Sequence, residues 1–229
     1  MKILSIFKDL TKFERILWGS SVIIIIISYL LSHSTNYLTL IASLIGVTAL
    51  IFVAKGYVIG QILTVVFAVF YGVISLYFRY YGEMITYLGM TSPIAIVTVI
   101  EWMKHPYKDT KEVMVSNLST EQIMIMLLLT IITTVLFYFI LVKLNTANLL
   151  FSTISIATSF LASYLTLMRS PYYALAYALN DIVLIVLWVL ASLTDSSYIP
   201  MIICFIMFLI NDIYGFINWQ RMSNRQKNK

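Results

Sequence analysis

The sequence has few charged residues and few of the side chains that catalytic sites use. Only 11% of its 229 residues are charged, whereas 61% are hydrophobic, a balance that excludes a soluble domain of this size. Its one cysteine, Cys204, excludes an internal disulfide. Its two histidines, His33 and His105, fall in predicted loops, and neither an H-E-x-x-H motif nor a glycine-rich phosphate loop is present. The sequence therefore predicts a protein that is not an enzyme and that uses no metal or cofactor.

What the chain does contain is a series of long apolar runs. Each of eight runs approaches the roughly 20 residues that a helix needs to cross a bilayer. The runs cover residues 16–31, 37–54, 57–78, 84–102, 123–142, 147–168, 171–193 and 198–219. The predicted fold class is an all-α polytopic membrane protein with about eight transmembrane helices. The one long connection ends in Ser119 and Gln122, whose spacing predicts a capping box at the start of the fifth helix.

The basic residues are distributed unevenly between these runs. With eight spans and the N-terminus inside, 13 of the 15 Lys and Arg residues lie on one side, and only Arg79 and Lys143 lie on the other. The positive-inside rule then predicts a multi-pass protein of the cell membrane with both termini in the cytoplasm. Since this asymmetry explains the net charge of +5, nucleic acid is not expected as a partner. Residues 1–15 alternate apolar and basic side chains and are expected to lie on the membrane surface, against lipid.

The second to fourth runs are similar to the sixth to eighth. Within each trio a basic residue, Lys55 or Arg169, follows the first run, and the trio ends on a tryptophan, Trp102 or Trp219. A single helix joins the trios, so they run in the same direction and form a 3+1+3 parallel-repeat core plus one extra N-terminal helix, with the site between the repeats. The expected units are the amphipathic N-terminus with the first helix (1–35), the first repeat (36–104), the loop and linker helix (105–144), the second repeat (145–220) and a basic cytoplasmic tail (221–229).

Two of the runs carry polar and aromatic side chains on one helical face. Gln61 belongs to such a stripe in the third run, and Tyr177, Asn180, Asp181 and Trp188 form another in the seventh. Aromatic faces stack on rings, and amides and carboxylates pair with hydroxyl groups, so we expect these residues to bind a substrate that has both. Asp181 lies near mid-membrane, where an unpaired carboxylate costs on the order of 3 kcal/mol. Hydrogen bonding between helices is the alternative role for each residue.

The last run ends in an unusually polar stretch, residues 211–219, NDIYGFINW. Asn211 and Tyr214 share one helical stripe, and Asp212 lies about 100° away on the adjoining face. An ionisable residue at membrane depth indicates a functional site. We expect Asn211 and Tyr214 to contact the substrate, and we give Asp212 less weight than Asn211.

The same helix is expected to supply the inner gate. Asn218 and Trp219 lie at its inner end, and Trp102 is the matching residue of the first repeat. The helix that ends at Trp102 contains Pro93, which is expected to kink it and free a carbonyl at the depth of the site.

With these residues in view, the chain resembles the PnuC-type nicotinamide riboside transporters, a family of SWEET-like vitamin transporters. The likeness is carried by residues 177–184, YALNDIVL, and by 211–219, with looser agreement in Tyr71-Gly72 and in 93–102. The resemblance implies a homotrimer that carries an unphosphorylated vitamin nucleoside by facilitated diffusion. A cytoplasmic kinase would then trap the nucleoside by phosphorylation and feed NAD biosynthesis.

The last helix departs from the family pattern. Many members carry a pair of tryptophans upstream of its asparagine, whereas residues 203–208 contain none. If that pair clamps the nicotinamide ring, Phe205, Phe208, Tyr177 or Trp188 must hold it here.

Two functions stay open at this point. The first is passive uptake of nicotinamide riboside, whose cationic ring suits aromatic side chains and Asp181. The second is proton- or sodium-coupled transport of a related vitamin such as thiamine or riboflavin, with Asp181 or Asp212 carrying the coupling.

Overall fold

A computed structural model describes residues 3–32, 37–77 and 81–228; His33 and Arg79 lie outside these ranges. Eight described segments are long and apolar enough to cross a membrane. In chain order the elements are α1 (Ile3–Lys8), α2 (Lys12–Leu31), α3 (Tyr37–Ala54), α4 (Val58–Tyr77), α5 (Tyr81–Ile85), a π-helical turn (Thr86–Thr91), α6 (Ser92–Lys104), α7 (Thr120–Lys143), α8 (Leu149–Leu167), α9 (Tyr173–Ser192), a 3₁₀ turn (Ser196–Tyr198) and α10 (Ile199–Lys227). The predicted all-α fold with eight spans is confirmed, since α5, the π turn and α6 together form one span.

The two repeats are the units α3–α6 and α8–α10, joined by α7. Helix α10 packs on α9 and also on α3, while α6 packs on α4 and on α8, so each unit contacts the other through its last helix. The turns after α3 and α8 have the same backbone. Gly56 and Arg169 adopt left-handed φ values of 68° and 56°. In both turns that residue's N–H donates to the carbonyl three residues back, and the next N–H donates to the carbonyl five residues back. The internal repeat therefore extends to the hydrogen bonds of its turns.

Helix α1, the end of α10 and the loop 105–119 lie at the same end of the bundle, which we call the basic end. The loop is ordered there: Pro106 bridges to Val113, and the Val113 N–H donates to the Gly56 carbonyl at 2.9 Å. Residues 221–227 of the predicted basic tail continue α10 as a helix. The Gln226 side chain fixes this extension to the loop through the Val113 carbonyl (3.1 Å) and the Val115 N–H (2.8 Å).

Apolar side chains of helix α1 and of the residues after it pack against α3. Ile6 and Leu10 are buried against Ile51 and Phe52 of α3. The α2 helix that follows begins with a capping box in which Glu14 receives the Thr11 N–H. The other capping box, predicted at Ser119 and Gln122, is confirmed at the start of α7.

The irregularity that Pro93 predicted is a π-helical turn immediately before it. The Ser92 N–H donates to the Tyr87 carbonyl, five residues back, and Pro93 then occupies the first turn of α6. Pro93 has no N–H to donate in this continuous helix, which fits the irregular hydrogen bonding of the turn before it. Since a π turn holds an extra residue, it shifts the helical phase of Tyr87 and Thr91 relative to α6.

Candidate functional site

A cavity lies between the two repeats, about midway along the bundle. The empty space among its lining residues, which includes some open solvent, is about 660 Å³. Helices α3, α4, α8, α9 and α10 and the π turn contribute its walls. The polar and aromatic side chains that line it are Gln61, Thr64, Phe67, Tyr87, Thr91, Ser159, Tyr173, Tyr177, Asn180, Asp181, Phe205, Phe208 and Asp212.

Two buried carboxyl groups face one another in this cavity. Asp181 of α9 and Asp212 of α10 are each 3% exposed, and both side chains line the cavity. Two carboxylates buried in one small space repel each other unless a proton or a positive charge lies between them. Within the described ranges, no donor reaches Oδ2 of Asp181. The pair can therefore receive a cationic group, whose charge would offset that repulsion.

Asn180 is oriented by two hydroxyl groups of α8. Its Oδ1 accepts from Thr158 at 2.8 Å and from Ser159 at 2.9 Å. The amide NH₂ is thus the group left to donate into the cavity that Asn180 lines. Nearby, the Tyr177 hydroxyl lies 3.4 Å from the Ser163 hydroxyl.

Gln61 connects the cavity to a small polar cleft between α4, α6, α8 and α9. It is buried and borders both spaces. Thr98 and Thr166 line the cleft, and each hydroxyl donates to the backbone carbonyl four residues back in its own helix. This back-bonding is common for hydroxyl groups in apolar surroundings.

We call the end of the bundle away from the basic end the opposite end. On that side, a layer of aromatic rings (the aromatic layer) closes the cavity. The rings of Tyr71 and Tyr87 lie 4.3 Å apart, and the Phe67 and Phe208 rings lie 5.4 Å apart. Phe205 joins them, with its ring 5.9 Å from Tyr71. These ring faces supply the surface on which a flat ring can stack.

Two tryptophans close the cavity toward the basic end. Trp102 and Trp219 are buried with their rings 5.4 Å apart, and Tyr173 covers Trp219 at 4.8 Å. The Trp102 indole donates to the Thr166 carbonyl at 3.0 Å, and the Trp219 indole donates to the Val53 carbonyl at 2.9 Å. Each tryptophan therefore ends one repeat and bonds to the end of the first helix of the other.

The structure brings some of the predicted residues together and separates others. Gln61, Tyr177, Asn180 and Asp181 line the cavity, as the stripes predicted. The predicted gate residues meet at the basic end, where Asn218 donates to the Ala54 carbonyl at 2.8 Å.

Three predicted substrate contacts lie elsewhere. Asn211 donates to Ser21 of α2 at 3.0 Å, and Tyr214 donates to Glu14 of α2 at 2.7 Å. The prediction that Asn211 and Tyr214 face the site is therefore wrong. Their side chains face the extra N-terminal helix, α2, which covers that side of α10. Trp188 lies beyond the aromatic layer and donates to the Tyr71 hydroxyl at 3.1 Å.

Several lining residues were missed or given too little weight. Asp212 lies on the cavity face that the Asn211 stripe was expected to occupy. Its signal was present in the sequence, since it is ionisable and at membrane depth. Tyr87 and Thr91 had no such signal, because they lie in the π turn. Within the described ranges, no three His, Cys, Asp or Glu side chains are grouped as metal ligands.

Comparison with known proteins places this architecture in a family. A model of the nicotinamide mononucleotide transporter family matches residues 36–221, most of the chain. The chain belongs to that family. This confirms the resemblance to PnuC-type transporters that the helix motifs carry.

Individual members agree with the assignment. The nicotinamide riboside transporter PnuC of Neisseria mucosa is 25% identical over 195 residues, which are 83% of this chain and 74% of the relative. The crystal structure of the vitamin B3 transporter PnuC has the same fold, with a TM-score of 0.82 at 23% identity, and the match covers 95% of this chain and 94% of that one. This family member is therefore a multi-pass membrane transporter with the PnuC fold.

Proposed function

We propose that this chain carries nicotinamide riboside across the cell membrane by facilitated diffusion. The observation that supports this most is the Asp181–Asp212 carboxyl pair, buried in a cavity whose other walls are aromatic rings and amides. Nicotinamide riboside combines a cationic ring with a ribose. The pair would balance the ring's charge, and the amide of Asn180 would donate to a ribose hydroxyl.

The ring would stack among the aromatic side chains between the carboxyl pair and the opposite end. Tyr87, Phe67, Phe205 and Phe208 line that part of the cavity. An aromatic face attracts a cation within about 6 Å of its centroid. These residues would take the place of the tryptophan pair that many family members carry.

The aromatic layer and the tryptophan pair are barriers on either side of the substrate. Transport then requires them to open in turn while the repeats move against each other. The Trp102–Trp219 contact, with Asn218 beside it, would be the inner gate, because most basic residues lie at that end and the positive-inside rule assigns it to the cytoplasm.

Three partners belong to this proposal. A cytoplasmic kinase would phosphorylate the riboside, and the anionic product would no longer suit a cavity built around two carboxyl groups. A homotrimer would cover part of the apolar surface of α7, where Leu128, Ile132 and Phe139 are exposed, and membrane lipid would cover the rest.

One observation favours a second candidate, a proton-coupled transporter. A carboxyl pair that shares a proton can release it when a cation binds, and this would couple proton movement to transport. The substrate of such a carrier could also be thiamine, which has a cationic ring.

Purified protein in proteoliposomes distinguishes these proposals. Uptake of labelled nicotinamide riboside should occur without any ion gradient and should stop when the internal concentration equals the external one. Accumulation above that level, driven by an imposed proton or sodium gradient, would favour the coupled carrier. Thermal-shift binding against nicotinamide riboside, thiamine and riboflavin identifies the vitamin.

A further inference from the structure

A second cavity lies at the opposite end of the bundle, beyond the aromatic layer. The empty space among its lining residues, which includes some open solvent, is also about 660 Å³. Its walls come from α5, the loop between α7 and α8, the start of α8 and the last turns of α9. The polar and aromatic residues that line it are Glu83, Thr146, Asn148, Ser152, Trp188 and Thr194.

Glu83 is the charged group of this second cavity, and it is only 9% exposed. Within the described ranges no donor reaches its Oε2 and no basic side chain forms an ion pair with it. The Thr146 hydroxyl, on the same wall, is also buried without a described partner. Buried polar groups are nearly always paired, so two unpaired groups around one space indicate a place for a ligand.

The second cavity lies in line with the central one. Both are bordered on one side by the first repeat and on the other by α8 and α9. Trp188 lines the second cavity, and its indole donates to Tyr71 of the aromatic layer. A solute leaving the second cavity toward the basic end would therefore meet the aromatic layer next and the carboxyl pair after it.

We propose that this second cavity is an entry site that binds a cationic, hydroxyl-bearing solute through Glu83 before the aromatic layer opens. The inference rests on the proposed function, since the solute it names is the transported riboside. The Glu83 carboxylate would pair with the cationic ring beside Trp188, and the Thr146 hydroxyl would bond to the ribose. The site raises the local concentration of substrate next to the closed barrier.

Initial uptake rates in intact cells test the proposal, because the chain then has one orientation. The host lacks its own riboside uptake and expresses the full chain or the E83Q variant. We expect E83Q to raise the half-saturation concentration for nicotinamide riboside about tenfold, because the variant loses one charge-assisted contact with the solute. Uptake of the neutral reduced riboside should not change. Ala191→Phe, which fills the same cavity without altering charge, should slow uptake of both.

E121Q is the matched control, because Glu121 is exposed at the basic end of α7. It should behave as wild type, and size-exclusion profiles of all variants verify folding. Unchanged riboside kinetics in E83Q would overturn the entry site, whatever the effect of Ala191→Phe, and leave the proposed function intact. A further outcome is a half-saturation concentration that depends on sodium in the wild type and not in E83Q. That result would assign the cavity to an inorganic cation and would also overturn the entry site. Wild-type protein that neither binds nor takes up the riboside would overturn both proposals.

Discussion

The indole rings of Trp102 and Trp219 lie 5.4 Å apart, and each indole N–H donates to a backbone carbonyl of the other repeat. The two hydrogen bonds occupy corresponding positions in the two repeats. Val53 lies near the end of α3 and Thr166 near the end of α8, and each of these is the first helix of its repeat. The tryptophans therefore join the repeats to each other at the same point where they close the cavity.

Replacing either tryptophan should weaken this connection. The Thr166 and Val53 carbonyls each also accept an N–H of their own turn, so W102F or W219F removes one buried hydrogen bond and leaves the carbonyl paired, at a cost of about 1 kcal/mol. We expect both variants to lower the thermal unfolding temperature in detergent by similar amounts. W18F is the control: its indole donates to the Thr48 hydroxyl at a partly buried position, so the loss should be smaller. A W18F variant as unstable as W219F would contradict this explanation.

A methyl group at Gly46 should disturb the cavity wall. A Cβ added there would overlap the Phe208 ring, which lines the cavity. Overpacking of this kind destabilises a folded protein by about 1–3 kcal/mol. The displaced ring would also narrow the space for substrate. We expect G46A to lower riboside uptake in proteoliposomes. Nothing lies within 4 Å of a Cβ at Gly19, so G19A should transport as wild type; equal losses would contradict the prediction.

Tyr214 should matter for stability and not for substrate binding. Its hydroxyl donates to Glu14, which also pairs with Lys55 at 3.1 Å. Y214F removes one hydrogen bond between α10 and α2, worth about 1 kcal/mol, and should lower the unfolding temperature. The riboside affinity, measured by calorimetry, should stay at the wild-type value. A large loss of affinity would mean that Tyr214 contacts the substrate after all.

The end of α10 should hold the loop 105–119 in place. Gln226 provides two hydrogen bonds to the loop backbone, so Q226A should speed amide hydrogen exchange across residues 105–119 without affecting α9. N224A is the matched control, because Asn224 is exposed on the same helical turn. Equal exchange in Q226A and wild type would show that other contacts suffice.

The sequence predicted the architecture well because that prediction rests on composition and repetition. Apolar run lengths determine the eight spans, and the tryptophan at the end of each repeat identifies the pair that meets at the basic end. Helical periodicity also identified the α9 face with Asn180 and Asp181, since α9 is a regular helix.

Helical periodicity did not predict which face of α10 lines the cavity, because that depends on the helix that packs against it. The Asn211–Tyr214 stripe is polar, but α2 covers it with Ser21 and Glu14, and a helical wheel does not contain that neighbour. The π turn shifts Tyr87 and Thr91 out of the regular phase. Glu83 lies at the end of a span, where a charge is ordinary, and only the three-dimensional arrangement reveals that it is buried.

We expect the paired carboxyl groups of Asp181 and Asp212 to recognise a positive charge. The double variant D181N/D212N isolates this role, because it keeps the shape of both side chains and removes their charge. In proteoliposomes its uptake of cationic nicotinamide riboside should fall about tenfold or more relative to the neutral reduced riboside, the equivalent of at least one charge-assisted contact. An equal fall for both compounds, or none for either, would contradict the account.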